Sequence, residues 1–374
     1  MKNFIPVCEP YLNGNELKYV QEAITSNWIS SKGQFIDKFE KEFANFCGVQ
    51  YASGVCNGTV ALHLALVALD IGPGDEVIIP NFTMMSTALC VYYTGAVPVF
   101  VEADSKTWNI DIEKIEERIT KKTKAILAVH IFGNPCDMDS IHKIAQKHGL
   151  RVVEDAAEAH GAEYKGIKTG ALADIAAFSF YANKNLTTGE GGMVVTQDEE
   201  LYDKCRYYKN VCFPLDGKRE FLHEHIGFNY RMSNLHAAIG LAQVEKAYEY
   251  RENRIKNSVC YKQRLTQIEG ITFPEDEADS LNVHWMNAVL IDPETFGISR
   301  DEIIEGLKLK GIETRLLFTG MHEQPSLKKI GCDCSGEYPV TENLTKNGFY
   351  LPSASNLSEN QIDYICSTLI SLKK

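Results

Sequence analysis

Three features of this 374-residue sequence could do chemistry together. Lys184 follows the apolar, strand-like FSF run at 178–180 and precedes a threonine pair, three glycines and the apolar MVV run at 193–195. A partly desolvated lysine has a lowered pKa, and its neutral amine can attack a carbonyl to form a Schiff base. A lysine snorkelling to solvent is the alternative. Asp155 ends a second apolar run, in VVEDAAEAHG at 152–161. A carboxylate is costly where a buried strand emerges, and such an acid can keep a pyridinium nitrogen protonated. Taken alone, it reads equally as a helix cap or a surface ion pair. Asn57-Gly58-Thr59 stands before the apolar stretch VALHLAL. The free N–H groups and dipole of a helix start suit a phosphate, and Ser179 would add a hydroxyl. Alone, the triplet reads as ordinary N-capping. His160 reads as structural.

Phosphate cradle, pyridinium acid, and a lysine 29 residues past that acid describe a binding site for pyridoxal phosphate. The elements that would position them alternate. Strands are predicted at 76–80, 97–102, 125–130, 150–155, 175–180 and 192–196, with helices at 59–70 and 138–149 between them. Alternation of this kind predicts an α/β fold, a mainly parallel central sheet flanked by helices. Ligands bind such sheets at the strand C-terminal ends. A long helical stretch at 234–265, strands at 285–291 and 311–318, and a helix at 358–372 predict a smaller C-terminal α+β domain. The expected division is a large domain over 14–245 and a small one over 246–374 plus 1–13.

Composition narrows the classes. Lys and Arg number 38 against 50 Asp and Glu, a net charge of −12, which argues against nucleic-acid binding. The apolar run at 61–69 is interrupted by His63 and is about half of what a bilayer requires, so no membrane span is expected; nor is a signal peptide. Eleven cysteines without a framework predict reduced thiols and a cytoplasmic protein. Cys332 and Cys334 form a C-x-C pair without companions, and no metal site is expected.

The segments SKGQFIDKFEKEF (31–43), NGTVALHLAL (57–66), VEDAAEAHGA (153–162), FSFYANKNLTTGEGGMVVT (178–196) and GFNYRMSNLHAAIGLAQ (227–243) resemble the DegT group of sugar aminotransferases. The resemblance runs from about residue 5 to 370. It implies a fold-type I enzyme that uses pyridoxal phosphate to move an amino group from L-glutamate to a keto-sugar. Lys184 would be the Schiff-base lysine and general acid/base, with Asp155 on the pyridine nitrogen. Gly58, Thr59 and Ser179 would hold the cofactor phosphate. Glu158, where many relatives carry glutamine, would lie near the ring hydroxyl or the substrate. Asn229 would reach the phosphate of a neighbouring subunit's cofactor, which implies a homodimer with shared active sites. Lysine at 184 marks a transferase, since the dehydratase branch has histidine there.

Two departures concern the substrate. Met84 stands where the group usually has an aromatic residue against the cofactor ring. The segment TRLLFTGMHEQP (314–325) keeps Arg315 and His322 but lacks the usual proline and tyrosine. The loop at 211–225 adds Lys218 and Arg219 as candidate phosphate contacts. The default substrate is a nucleotide-linked 4-keto-6-deoxyhexose for surface polysaccharide synthesis. The alternative is a small phosphorylated ketone such as dihydroxyacetone phosphate. A non-catalytic protein that binds pyridoxal phosphate is a lesser alternative, and it would be expected to lose Lys184 or Asp155.

Overall fold

The computed structural model describes residues 4–217 and 221–374. In chain order its strands are β1 (Tyr51–Val55), β2 (Glu76–Pro80), β3 (Val97–Val101), β4 (Thr123–Val129), β5 (Arg151–Asp155), β6 (Glu163–Tyr164), β7 (Ile167–Lys168), β8 (Ile175–Ser179) and β9 (Gly192–Thr196). Five shorter or later ones follow: β10 (Ile271–Thr272), β11 (Ser280–Leu281), β12 (Asn287–Ile291), β13 (Arg315–Leu316) and β14 (Gly348–Leu351).

The large sheet has the order β1-β9-β8-β5-β4-β2-β3. Its neighbours are parallel except at β9, which runs against both β1 and β8. A sheet covered on both faces needs apolar side chains on both. Val77 and Ile79 of β2 therefore enter one core and Ile78 the other; in β8, Ile175 and Ala177 separate from Ala176 and Phe178 in the same way.

Helices α1 (Glu16–Thr25), α2 (Gln34–Cys47), α3 (Gly58–Ala68), α4 (Met85–Tyr93), α5 (Met138–His148) and α6 (Glu199–Lys209) cover the sheet. Apolar residues of α3, α4 and α6 fill one core; those of α1, α2 and α5 fill the opposite side. On that side Phe39, Phe43, Phe178 and Phe180 pack edge to face or tilted, with Phe43 and Phe178 centroids 4.9 Å apart.

The helical stretch expected over 234–265 is two helices, α7 (Asn234–Glu245) and α8 (Ala247–Leu265). The chain leaves helical geometry at Lys246 (φ −109°, ψ 5°). The break lets α7 pack on α1 and α2 while α8 packs on the final helix, Glu359–Ser371. A second sheet, β10-β12-β14-β13, forms the C-terminal part. Of the strand expected at 311–318, only Arg315–Leu316 joins it. Ile5 enters the core of this part and bridges Ile312. A small third sheet, β11-β6-β7, ties the two regions together.

Candidate active site

The C-terminal ends of β1, β2, β5 and β8 lead directly into the residues singled out above. After β1, Asn57 caps α3: its Oδ1 accepts the Val60 N–H at 3.0 Å. A Cβ on Gly58 would lie 2.6 Å from the Ser179 Cβ. Only glycine lets the first turn of α3 close on the end of β8, and this brings free helix N–H groups beside the Ser179 hydroxyl. Thr59 Oγ1 is 2.9 Å from Ser86 Oγ at the start of α4. Two helix N-termini and three hydroxyls thus meet in one place, a donor-rich anion cradle. Ser86 carried no signal in the sequence; only the packing of α4 against α3 shows it.

At the end of β5, Asp155 is buried. Thr87 Oγ1 donates to its Oδ2 at 3.1 Å and the Ala157 N–H to its Oδ1 at 3.2 Å. Burial pushes its carboxyl above the usual range, against the Ala157 N–H, Lys184 and the Thr87 hydroxyl, which pull it down. Glu158 is buried one turn later. The Phe132 N–H donates to its Oε2 at 2.8 Å, and burial raises it to about 7.

Lys184 lies on the connection from β8 to β9, and its backbone N–H donates to Tyr181 O at 2.9 Å. The threonine pair makes this connection rigid. Thr187 Oγ1 and the Thr188 N–H both donate to Phe180 O, at 3.0 and 2.9 Å, and Gly189 N–H donates back to Thr187 Oγ1. The lysine side chain is only 11% exposed, with Nζ 3.6 Å from Glu158 Oε1. Burial lowers its pKa, while Glu158 and then Asp155 oppose the shift.

The remaining candidates divide. Ser179 accepts the Tyr181 N–H at 3.4 Å. Met84 is 51% exposed and its sulfur accepts from Ser86, capping α4. Asn229 Oδ1 accepts from Arg231 Nε and Nη2 at 3.0 and 2.6 Å. Arg315 has a 59% exposed side chain and lies 3.8 Å from Glu313. His322 is buried against Tyr338; its Nδ1 accepts from Asn81 Nδ2 at 2.8 Å and its Nε2 is 3.4 Å from Glu342. His160 is wedged among Phe43, Phe178 and Phe180, and burial drops its pKa to about 3. Lys218 and Arg219 lie outside the described residues.

Sequence reasoning missed Trp285 and Tyr350. Trp285 lies under the Lys184 amine. Tyr350 is buried against Phe132 with no partner for its hydroxyl, and both Glu158 and Arg315 act on it electrostatically. Among the described residues no group of three or more His, Cys, Asp or Glu could hold a metal ion.

A buried lysine, a buried acid at a strand end and a hydroxyl-lined helix start fit pyridoxal phosphate as a donor set: cation-accepting carboxylate, amine and anion cradle. The sequence profile described as DegT/DnrJ/EryC1/StrS aminotransferase family matches residues 10–370. The chain is 43% identical to GDP-perosamine synthase of Escherichia coli O157:H7, over 98% of each chain. It is 44% identical to GDP-perosamine synthase of Caulobacter vibrioides, over 98% of this chain and 97% of that one. Among solved structures, S. venezuelae DesV in complex with a ketimine intermediate superposes with a TM-score of 0.89, at 33% identity over 96% of this chain and 94% of that one.

Proposed function

Since the chain belongs to the DegT/DnrJ/EryC1/StrS aminotransferase family, we propose that it moves an amino group from L-glutamate to the keto carbon of a nucleotide-linked 4-keto-6-deoxyhexose. The chain is an aminotransferase that uses pyridoxal phosphate. The observation that carries the catalytic reading is the Lys184 amine, buried 3.6 Å from Glu158. When bound, the cofactor supplies the carbonyl that takes up the amino group and a ring that spreads developing negative charge.

The protein's part is positioning and proton control. Gly58, Thr59, Ser86 and Ser179 would hold the phosphate through the start of α3. Asp155, aimed by Thr87 and the Ala157 N–H, would hold the ring nitrogen protonated; a cation there offsets the cost of burying its charge. Lys184, which burial biases toward the neutral amine, would take a proton from the amino donor and return it from the same side of the site. Glu158, raised to about 7, gains or loses its own proton near neutrality and so sets the charge beside that amine.

Both relatives named above are GDP-perosamine synthases, which favours a nucleotide-linked sugar over the small phosphorylated ketone. A homodimer would bring Asn229 to the partner's cofactor. The exposed apolar residues Trp28, Ile29, Phe221, Leu222 and Ile226 supply surface for it. No helix among the described residues is long and apolar enough to cross a membrane, and eleven free cysteines suit a reducing cytoplasm.

A half-reaction screen tests the substrate. Enzyme converted to its amine form with glutamate should recover the aldehyde absorbance when given GDP-4-keto-6-deoxymannose and not when given dihydroxyacetone phosphate. The reverse pattern would replace the proposed substrate.

A further inference from the structure

Lys184 Nζ lies 3.7 Å from the centroid of the Trp285 ring. That contact joins residues 101 positions apart, and the indole is held from several directions. Its Nε1–H donates to Asn183 O at 2.8 Å, so the ring is tied to the residue just before the lysine. Its backbone N–H donates to Phe132 O at 2.8 Å, and its carbonyl accepts from the buried Arg254 Nη1 at 2.9 Å. Trp285 itself is buried.

The backbone that delivers the ring is strained on both sides. His284 (φ 46°) and Phe132 (φ 55°) both occupy the left-handed region, unfavourable for bulky residues. The His284 N–H is held by Asn282 Oδ1 at 2.7 Å, and the Val283 N–H donates to Gly133 O at 3.1 Å. The two strained turns therefore brace each other. One presents Trp285 to the lysine, and the other presents its N–H to Glu158. Strain of this kind persists where the surroundings over-determine it, and it gathers at sites that need fixed geometry.

The geometry points to Trp285 as a positioning residue for Lys184: its indole face is the seat the released lysine takes once it holds the donor's proton. This rests on the reading of Lys184 as the catalytic lysine. An aromatic face attracts an ammonium and not a neutral amine. Burial favours the neutral form, while Glu158 and Asp155 favour the charged one. The other titratable groups facing the amine are Cys8, whose thiol donates to Asn183 O at 3.4 Å, and His160, which burial keeps neutral. Arg254 adds a cation behind the indole, on the Trp285 carbonyl. Trp285 thus works with the two carboxylates to hold the lysine in place once it has taken the proton, so that the ammonium meets the accepting carbon in one orientation.

Two substitutions separate the face from the bulk. Trp285→Phe keeps an aromatic face; Trp285→Leu removes it. In single turnovers of the holoenzyme with glutamate, followed by cofactor absorbance across pH, Trp285→Leu should move the amine ionisation acid by about 0.5–1.5 pH units. It should slow the transfer about tenfold, with Trp285→Phe in between. A second readout is independent of turnover. The chain has three tryptophans, and the emission lost in Trp285→Phe should titrate with pH in the wild type and become flat in Lys184→Ala. An unmoved pH profile in Trp285→Leu, or an emission component indifferent to Lys184→Ala, overturns the seat while leaving the function intact. Undiminished amino transfer by Lys184→Ala overturns both.

Discussion

Glu158 Oε1 stands 3.6 Å from Lys184 Nζ, both side chains nearly sealed from solvent. Each alone would be expensive to bury charged. Together, burial raises the acid to about 7 and lowers the amine, and each group's charge opposes the other's shift. The pair is therefore best described as one titrating unit.

That pairing has a stability signature. Burial raises Glu158 from 4.5 to about 7. Between those values the native state holds a proton that the unfolded chain has released, so stability falls as pH rises through the window and is level on either side. Glu158→Gln carries no such proton. Ligand-free wild type should lose stability relative to Glu158→Gln as pH rises from 4.5 to 7. Denaturant midpoints of the two proteins across that range measure it; parallel curves would contradict it.

Gly58→Ala tests the cradle. The new Cβ would sit 2.6 Å from the Ser179 Cβ, between two backbones that cannot both retreat. Overpacking of this sort costs about 1–3 kcal/mol, and the added methyl also occupies space beside the free N–H groups. Equilibrium dialysis should show weaker cofactor binding, partly restored by Ser179→Gly. Unchanged affinity in Gly58→Ala would remove the start of α3 from the phosphate site.

Tyr350 has a buried hydroxyl without a partner. Leaving such a group unmet costs about 1–3 kcal/mol, a penalty that persists at functional sites where a guest will satisfy it. Tyr350→Phe should therefore melt higher than wild type without substrate, and its KM for the keto substrate should rise while the half-reaction with glutamate is spared. A lower melting temperature would mean that the hydroxyl serves the fold.

The mainly parallel sheet was legible because its strands β2 to β5, β8 and β9 are apolar on both faces, as a covered sheet demands. β1 escaped notice: YASGV mixes tyrosine, serine and glycine, and its place at the sheet edge beside β9 relaxes the apolar requirement. The break at Lys246 was invisible because both flanking segments are good helix formers and the corner is set by what each packs against. Asp155 and the Asn57-Gly58-Thr59 triplet showed in the sequence since one closes and the other opens a regular element, and Lys184 showed as a lone cation between two apolar runs. Ser86, Thr87, Trp285 and Tyr350 come from other elements, and their spacing along the chain carries no period or motif. Only packing brings them to the lysine and the acid.

The central claim is that one lysine carries the cofactor. Borohydride reduction of the holoenzyme, followed by peptide mass mapping, reads this directly. The pyridoxyl mass is predicted on the peptide spanning Asn183-Lys184-Asn185. Its appearance on any other lysine, or on none, would contradict the account.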